Sequence, residues 1–306
     1  MTTYIVRRLG LSVFVLWGAV TIVFAAIRLA PGDPAQIMLG PSATPQEVAD
    51  LRVRLGLDQP APVQYARYLL QVARLDLGQS LRLNQSALEA IFERVPQTAR
   101  LGAAAMVLAI VLSFPMGIAA ALRSATLVDW SISAVSLLGQ SAPNFWLGIM
   151  LVLLFARALQ ILPSGGADTW QHLVLPAITL ALPLVGILTR LIRSGLLDVL
   201  REDYIRTARA KGLAPRTVMV RHALLNMLIP VVTVLGLQLG VLLGGTVIVE
   251  SVFAWPGVGR LLVEAIGNRD YPLVQAAILV ITTSFVFINL LVDVSYAYLD
   301  PRIRLR

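Results

Sequence analysis

The sequence predicts an all-α integral membrane protein with six transmembrane helices and a basic helix in the loop between spans four and five. Three observations predict this. Mean hydropathy is +0.78. Only 14% of the 306 residues are charged, against about 25% in soluble domains. Six apolar windows, 9–27, 101–122, 131–155, 173–189, 227–249 and 274–292, come near the roughly 20 residues a helix needs to cross a bilayer. None contains Asp, Glu, Lys, Arg or His.

Arg7 and Arg8 precede the first window, as they would in a secretory leader. Its apolar run exceeds a leader's 7–15 residues and no small-x-small cleavage pattern follows, so it reads as a retained span. The chain then forms a single membrane domain, 1–306. In the 190–221 segment, Arg190, Arg193, Arg201, Arg206, Arg209, Lys211, Arg216 and Arg221 face only Asp198, Glu202 and Asp203. Cytoplasmic loops concentrate basic residues, so 190–226 and both termini are expected in the cytoplasm, together with Arg302, Arg304 and Arg306. The long 31–96 connection is then external. Within it, 62–75 has helical spacing of Val63, Tyr65, Ala66, Leu69, Leu70, Val72 and Ala73. It either packs on the outer ends of spans or meets an external partner.

The net charge of +8 is accounted for by these loops, so nucleic acid is not implied. There are no cysteines, and His172 and His222 are too far apart in sequence to suggest a metal site. A Walker A loop needs Lys followed by Ser or Thr, but the sole lysine, Lys211, is followed by Gly212. Ion-coupled carriers place ionisable groups inside their spans, and an embedded hydrolase needs a nucleophile with a base. The windows hold neither arrangement. A passive pathway, or one driven by another subunit, is left.

The stretch EDYIRTARAKGLAPRTVMVRHALLNMLIP, 202–230, departs from its oily surroundings. Glu202 and Asp203 suit a helix start. Gly212 suits the left-handed position that ends one, with Pro215 just beyond. Ile205 and Ala208 share one face, Arg206 and Arg209 another. Two readings stand: a positive-inside anchor, and a docking helix.

YIRTARAKG resembles the cytoplasmic loop motif of permeases of the ABC importer family, in its dipeptide, oligopeptide, nickel and glutathione branch. Arg206, Thr207, Ala208 and Gly212 align with it, although Arg-Thr-Ala departs from the broader Glu-Ala-Ala opening. His222, Asn226 and Pro230 also look like that branch. So do LAPGDPA (29–35), LGLDQP (55–60), LDLGQS (75–80), SAPNFWLG (141–148), LPSGG (162–166), HLVLPAITLAL (172–182), VESVFAWPGVGRLL (249–262), RDYP (269–272) and YLDPRIR (298–304), in the same order. The resemblance implies a type I importer permease in a bacterial inner membrane. It also implies a second, similar permease, two cytoplasmic ATPase domains that hold ATP and Mg, and an external solute-binding protein. This chain would bind no cofactor and catalyse nothing. The solute would be a dipeptide, oligopeptide or glutathione.

Several site expectations follow. Tyr204, Ile205, Arg206, Thr207, Ala208, Arg209, Ala210, Lys211 and Gly212 would couple to the ATPase, with Ile205 and Ala208 filling its groove. Span five carries Gly236, Gly240 and Gly244 four apart, with polar Gln238 and Thr246. This face packs either against the partner permease along the pathway or within the chain. Glu250, Phe253 and Trp255 form either an external contact for the binding protein or solute, or an interfacial aromatic belt. Pro176, Pro183 and Pro230 lie where kinks or conformational hinges are both open readings. Asp293, Tyr296 and Asp300 share one helical stripe and read as partners for loop arginines.

Overall fold

The architecture comes from a computed structural model. It describes residues 2–29, 32–40, 42–80 and 82–299, without the side chains of 2–5, 27, 229, 243 and 294–299. Asp300 and Arg302, Arg304 and Arg306 lie outside the described residues, as does the Tyr296 side chain. In chain order the helices are α1 (Thr2–Leu29), α2 (Pro34–Leu39), α3 (Pro45–Arg54), α4 (Ala61–Ala73), α5 (Ala87–Phe92), α6 (Val95–Leu122) and α7 (Leu127–Ser141). They continue as α8 (Asn144–Leu151), α9 (Val174–Leu200), α10 (Asp203–Ala210), α11 (Pro215–Thr217), α12 (Leu225–Val252), α13 (Val258–Gly267) and α14 (Tyr271–Leu299). A short antiparallel ladder pairs Gln79–Ser80 with Gln85–Ser86. Single π-helical stretches, Val152–Ala158 and Val218–Leu224, follow α8 and precede α12.

Four stretches are single helices long and apolar enough to cross a membrane: Val6–Ala26, Ala87–Leu122, Trp170–Leu200 and Tyr271–Asp293. Two bent pairs supply the other two candidates. The 131–155 window is therefore not the one straight span expected of it, because α7 and α8 meet at 106°. The cause is local. A proline pushes the residue before it out of the helical region, and Ala142, ahead of Pro143, is extended at φ −76°, ψ 130°. The three expected prolines behave differently. Pro176 sits in the first turn of α9, where its missing N–H costs nothing. Pro183 lies inside α9, which continues as one helix. The fifth span bends beside Pro230.

The chain divides into two compact units, 1–98 with 256–290, and 99–255 with 291–306. In the first, small residues let helices approach closely. Ala87, Ala90 and Ile91 of α5 pack with Val258, Leu261 and Ala265 of α13 and with Leu273, Ala276 and Ala277 of α14. Two of the quoted motifs meet here. Ser80 donates to the Asp270 carboxylate, which caps α14 by accepting from the Leu273 N–H at 3.3 Å. Gly78 lies where a Cβ would stand 3.3 Å from Pro272. α4 does what the packing reading asks: Tyr65, Tyr68, Leu69 and Val72 join Val20, Phe24 and Leu279 in a second cluster.

In the second unit α9 is the central element. Of its membrane-length window 61% is buried, against 17% for α1 and 22% for α14. A helix apolar all round belongs inside, and Leu175, Leu184, Leu188, Ile192 and Leu196 are all covered. Glycines set the contacts. A Cβ at Gly186 would collide with the Ser136 carbonyl of α7, and one at Gly139 would press on the Leu182 carbonyl at 3.3 Å. The exposed large side chains Val13, Phe14 and Ile22 on α1 and Leu138 on α7 are the surface a lipid phase accommodates.

Candidate coupling site

The basic loop folds as its residues ask, with two differences. α10 starts with no side-chain cap. Glu202 occupies the N-cap position without a side-chain bond to the helix, and Asp203 is the first helical residue. Asp203 instead pairs with Arg206 at 3.3 Å on an exposed face. The helix end is as expected. Gly212 has φ +74°. The Gly212 N–H reaches the Arg209 carbonyl at 3.0 Å and the Leu213 N–H the Ala208 carbonyl at 3.4 Å. These two bonds form the paired closure that satisfies a helix's last carbonyls.

The second difference concerns Ile205 and Ala208. They are buried in the chain's own core, at 0% and 6% exposed, in a cluster with Leu196, Val218, Ala223 and Met227. They therefore cannot fill a groove on another subunit while α10 is seated. An amphipathic helix must cover its apolar face, and here the π-helical stretch Val218–Leu224, which leads into α12, is the element packed against it. A hydrogen bond adds to this seat: Asn226 Nδ2 donates to the Tyr204 hydroxyl at 3.1 Å and to the His222 carbonyl at 2.8 Å. What α10 leaves exposed is Tyr204, Arg206, Thr207, Arg209 and Ala210, followed by Lys211 and Gly212. The site is a convex, cationic edge on a braced helix. It can attract and orient carboxylates or helix C-termini. It has no nucleophile–base pair.

Sequence reasoning missed a brace in the same unit. Arg193 of α9 grips Asp129 of α7 through two hydrogen bonds, Nε–Oδ1 at 2.5 Å and Nη2–Oδ2 at 2.7 Å. Asp129 also accepts from the Ala125 N–H at 2.9 Å, and it is 4% exposed. A two-pronged carboxylate–guanidinium pair fixes orientation as well as distance. The signal available was an aspartate just ahead of the third window and an arginine just behind the fourth.

The other expected sites divide. On α12, Gly236 and Gly240 are buried, Gly244 is exposed and Gln238 is half-buried. Gly245 meets Leu180 and Asn144, and Thr246 is 2% exposed. The small-residue face therefore packs at least partly within the chain. Glu250, Phe253 and Trp255 are 0%, 1% and 0% exposed. They form neither an open contact for a partner nor an aromatic belt. Glycines explain the enclosure: Gly148 lies where a Cβ would stand 3.1 Å from the Phe253 ring, and the Gly166 N–H donates to the Phe253 carbonyl at 2.9 Å. The LPSGG and FAWPG segments are partners in one core.

Comparison with known proteins agrees with the helical architecture. Residues 113–305 match the model of the binding-protein-dependent transport system inner membrane component, and residues 1–102 match that of its N-terminal part. A dipeptide transport system permease protein of Alkalihalophilus pseudofirmus is 43% identical, over 99% of this chain and 100% of the relative. A glutathione transport system permease protein of Salmonella paratyphi A is 44% identical, over 99% of both. A di/tripeptide transport system permease protein of Pseudomonas aeruginosa is 41% identical, again over 99% of both. With both halves matched and the helices in place, the chain belongs to the binding-protein-dependent transport system inner membrane components, the permeases of ABC importers.

Proposed function

We propose that this permease works with a second, similar permease to pass a peptide-like solute, a dipeptide, oligopeptide or glutathione, delivered by an external binding protein. Two cytoplasmic ATPase domains, which hold the ATP and Mg, drive it through α10. The relatives' dipeptide, di/tripeptide and glutathione names support the solute class. The observation that carries the coupling role is the exposed basic edge of α10, seated on the Val218–Leu224 stretch and the start of α12 by Ile205, Ala208 and the Tyr204–Asn226 bond.

In this reading Arg206, Arg209 and Lys211 meet acidic groups of the ATPase, while Ile205 and Ala208 transmit. A displacement of α10 acts on spans four and five through packed side chains rather than through a slack loop. Span five then turns Gly244 and Gln238, which are not fully buried, toward or away from the pathway. The basic loop supports a cytoplasmic position for 190–226 and both termini.

Because the chain has no cysteine, a single introduced one reports alone. Arg209→Cys should react with a membrane-impermeant maleimide only from the cytoplasmic side, and should cross-link to an ATPase subunit in the intact complex. Labelling from outside would reverse the topology and remove the coupling role.

A further inference from the structure

The external-loop helices enclose a cavity of about 400 Å³ with no assigned use, lined by residues of one compact unit. Small-ligand sites begin at roughly 300 Å³. Its walls include Arg28 from the end of α1, Arg54, Arg67 and Tyr68 from the α3–α4 region, and Gln275 from α14. We propose that this cavity is a binding site for the carboxylate end of a small solute, on the face of the permease where the solute arrives. The choice of a peptide carboxylate rests on the peptide-importer reading above.

Three observations carry it. First, the lining is cationic: three arginines stand against one carboxylate, Asp76, which accepts from the Gly78 N–H at 3.2 Å. Second, none of the three arginines forms an ion pair among the described residues, whereas Arg52 pairs with Asp33 and Arg260 with Glu264 in the same unit. Third, the arginines are positioned. Arg28 stacks on Phe24 at 3.6 Å, and its Nε donates to Gln64 Oε1 at 2.7 Å. Gly56, at φ +65°, leaves the space in which the Arg67 guanidinium lies, since a Cβ there would stand 2.8 Å from Nη1.

The electrostatics agree. Burial holds the Arg28 guanidinium below its usual value. Burial also pushes the Tyr68 phenol up to about 12, with Arg28 opposing. A carboxylate entering the cavity would relieve a desolvated cation.

The test uses the intact complex in nanodiscs, without its binding protein, and saturation-transfer NMR with the dipeptide Ala-Ala. Saturable binding is expected, weakened about tenfold or more for the C-terminal amide of Ala-Ala and by Arg67→Gln, the size expected of one charge-assisted contact. Arg67 is exposed, so its variant tests the site even if Arg28→Gln misfolds. Equal binding of the amide, or unchanged affinity in Arg67→Gln, overturns the site. So does a cavity occupied only by lipid, seen as no saturable Ala-Ala signal. Peptide uptake is measured in parallel with the binding protein present. Uptake without a saturable site refutes the cavity alone, whereas a carboxylate site in a complex that imports no peptide refutes the solute class.

Discussion

Gly212 illustrates how much one residue can decide. Its φ of +74° belongs to the left-handed region, and an added Cβ would meet nothing within 4 Å. A substitution there is penalised by backbone conformation and not by collision. The cost for Ala is about 1–2 kcal/mol, and a β-branched residue should cost more. Gly212→Val is therefore expected to leave the permease folded, with a melting temperature a few degrees lower. It should fray the end of α10, and solute-stimulated ATPase activity of the reconstituted complex should fall several-fold. Gly212→Ala should lie between. A Val variant with unchanged coupling would show that the capped end of α10 is irrelevant. The glycine's role was legible because only backbone geometry was at stake. The use of Glu250, Phe253 and Trp255 was not legible, because an aromatic–acidic cluster reads alike on a rim and in a core. The glycines that enclose it lie about a hundred residues away, at Gly148, or in the 162–166 loop.

At the scale of elements, α10 shows the same limit. Its amphipathic face was plain, but periodicity does not say whose surface the face covers. The structure assigns it to the Val218–Leu224 stretch at the start of span five. Replacing Ile205 by Asp would place a charge where no exposure is left, costing several kcal/mol unless the helix lifts away. The expected outcome is a detached α10. Limited proteolysis should then cut within 201–214, while α9 and α12 stay protected and transport stops. An Ile205→Asp chain resistant to cleavage in that segment would mean that the seat on the Val218–Leu224 stretch does not hold the helix. The bent third span is another element-level lesson. Hydropathy sees 131–155 as one window because it sums transfer free energies and carries no angle. The proline restriction at Ala142–Pro143 was readable in the sequence, and it is what separates α7 from α8.

On the scale of the whole molecule, one unit carries the cationic edge of α10 and the other an arginine-lined cavity. The helical class and number of candidate spans were legible because they depend on composition and length. The Asp129–Arg193 brace was not, because its partners lie 64 residues apart and outside the windows in which charges were sought. In the proposed mechanism the exposed basic edge of α10 joins the ATPase, and charge reversal there probes that contact. The variant Arg206→Glu, Arg209→Glu, Lys211→Glu alters only exposed side chains, so the fold and the second permease should be retained. Purified in mild detergent from the native host and analysed by mass spectrometry, it should lose the ATPase subunits that the unaltered chain carries. ATPase subunits retained at full ratio, with uptake intact, would contradict the claim and leave the loop as a charged membrane anchor.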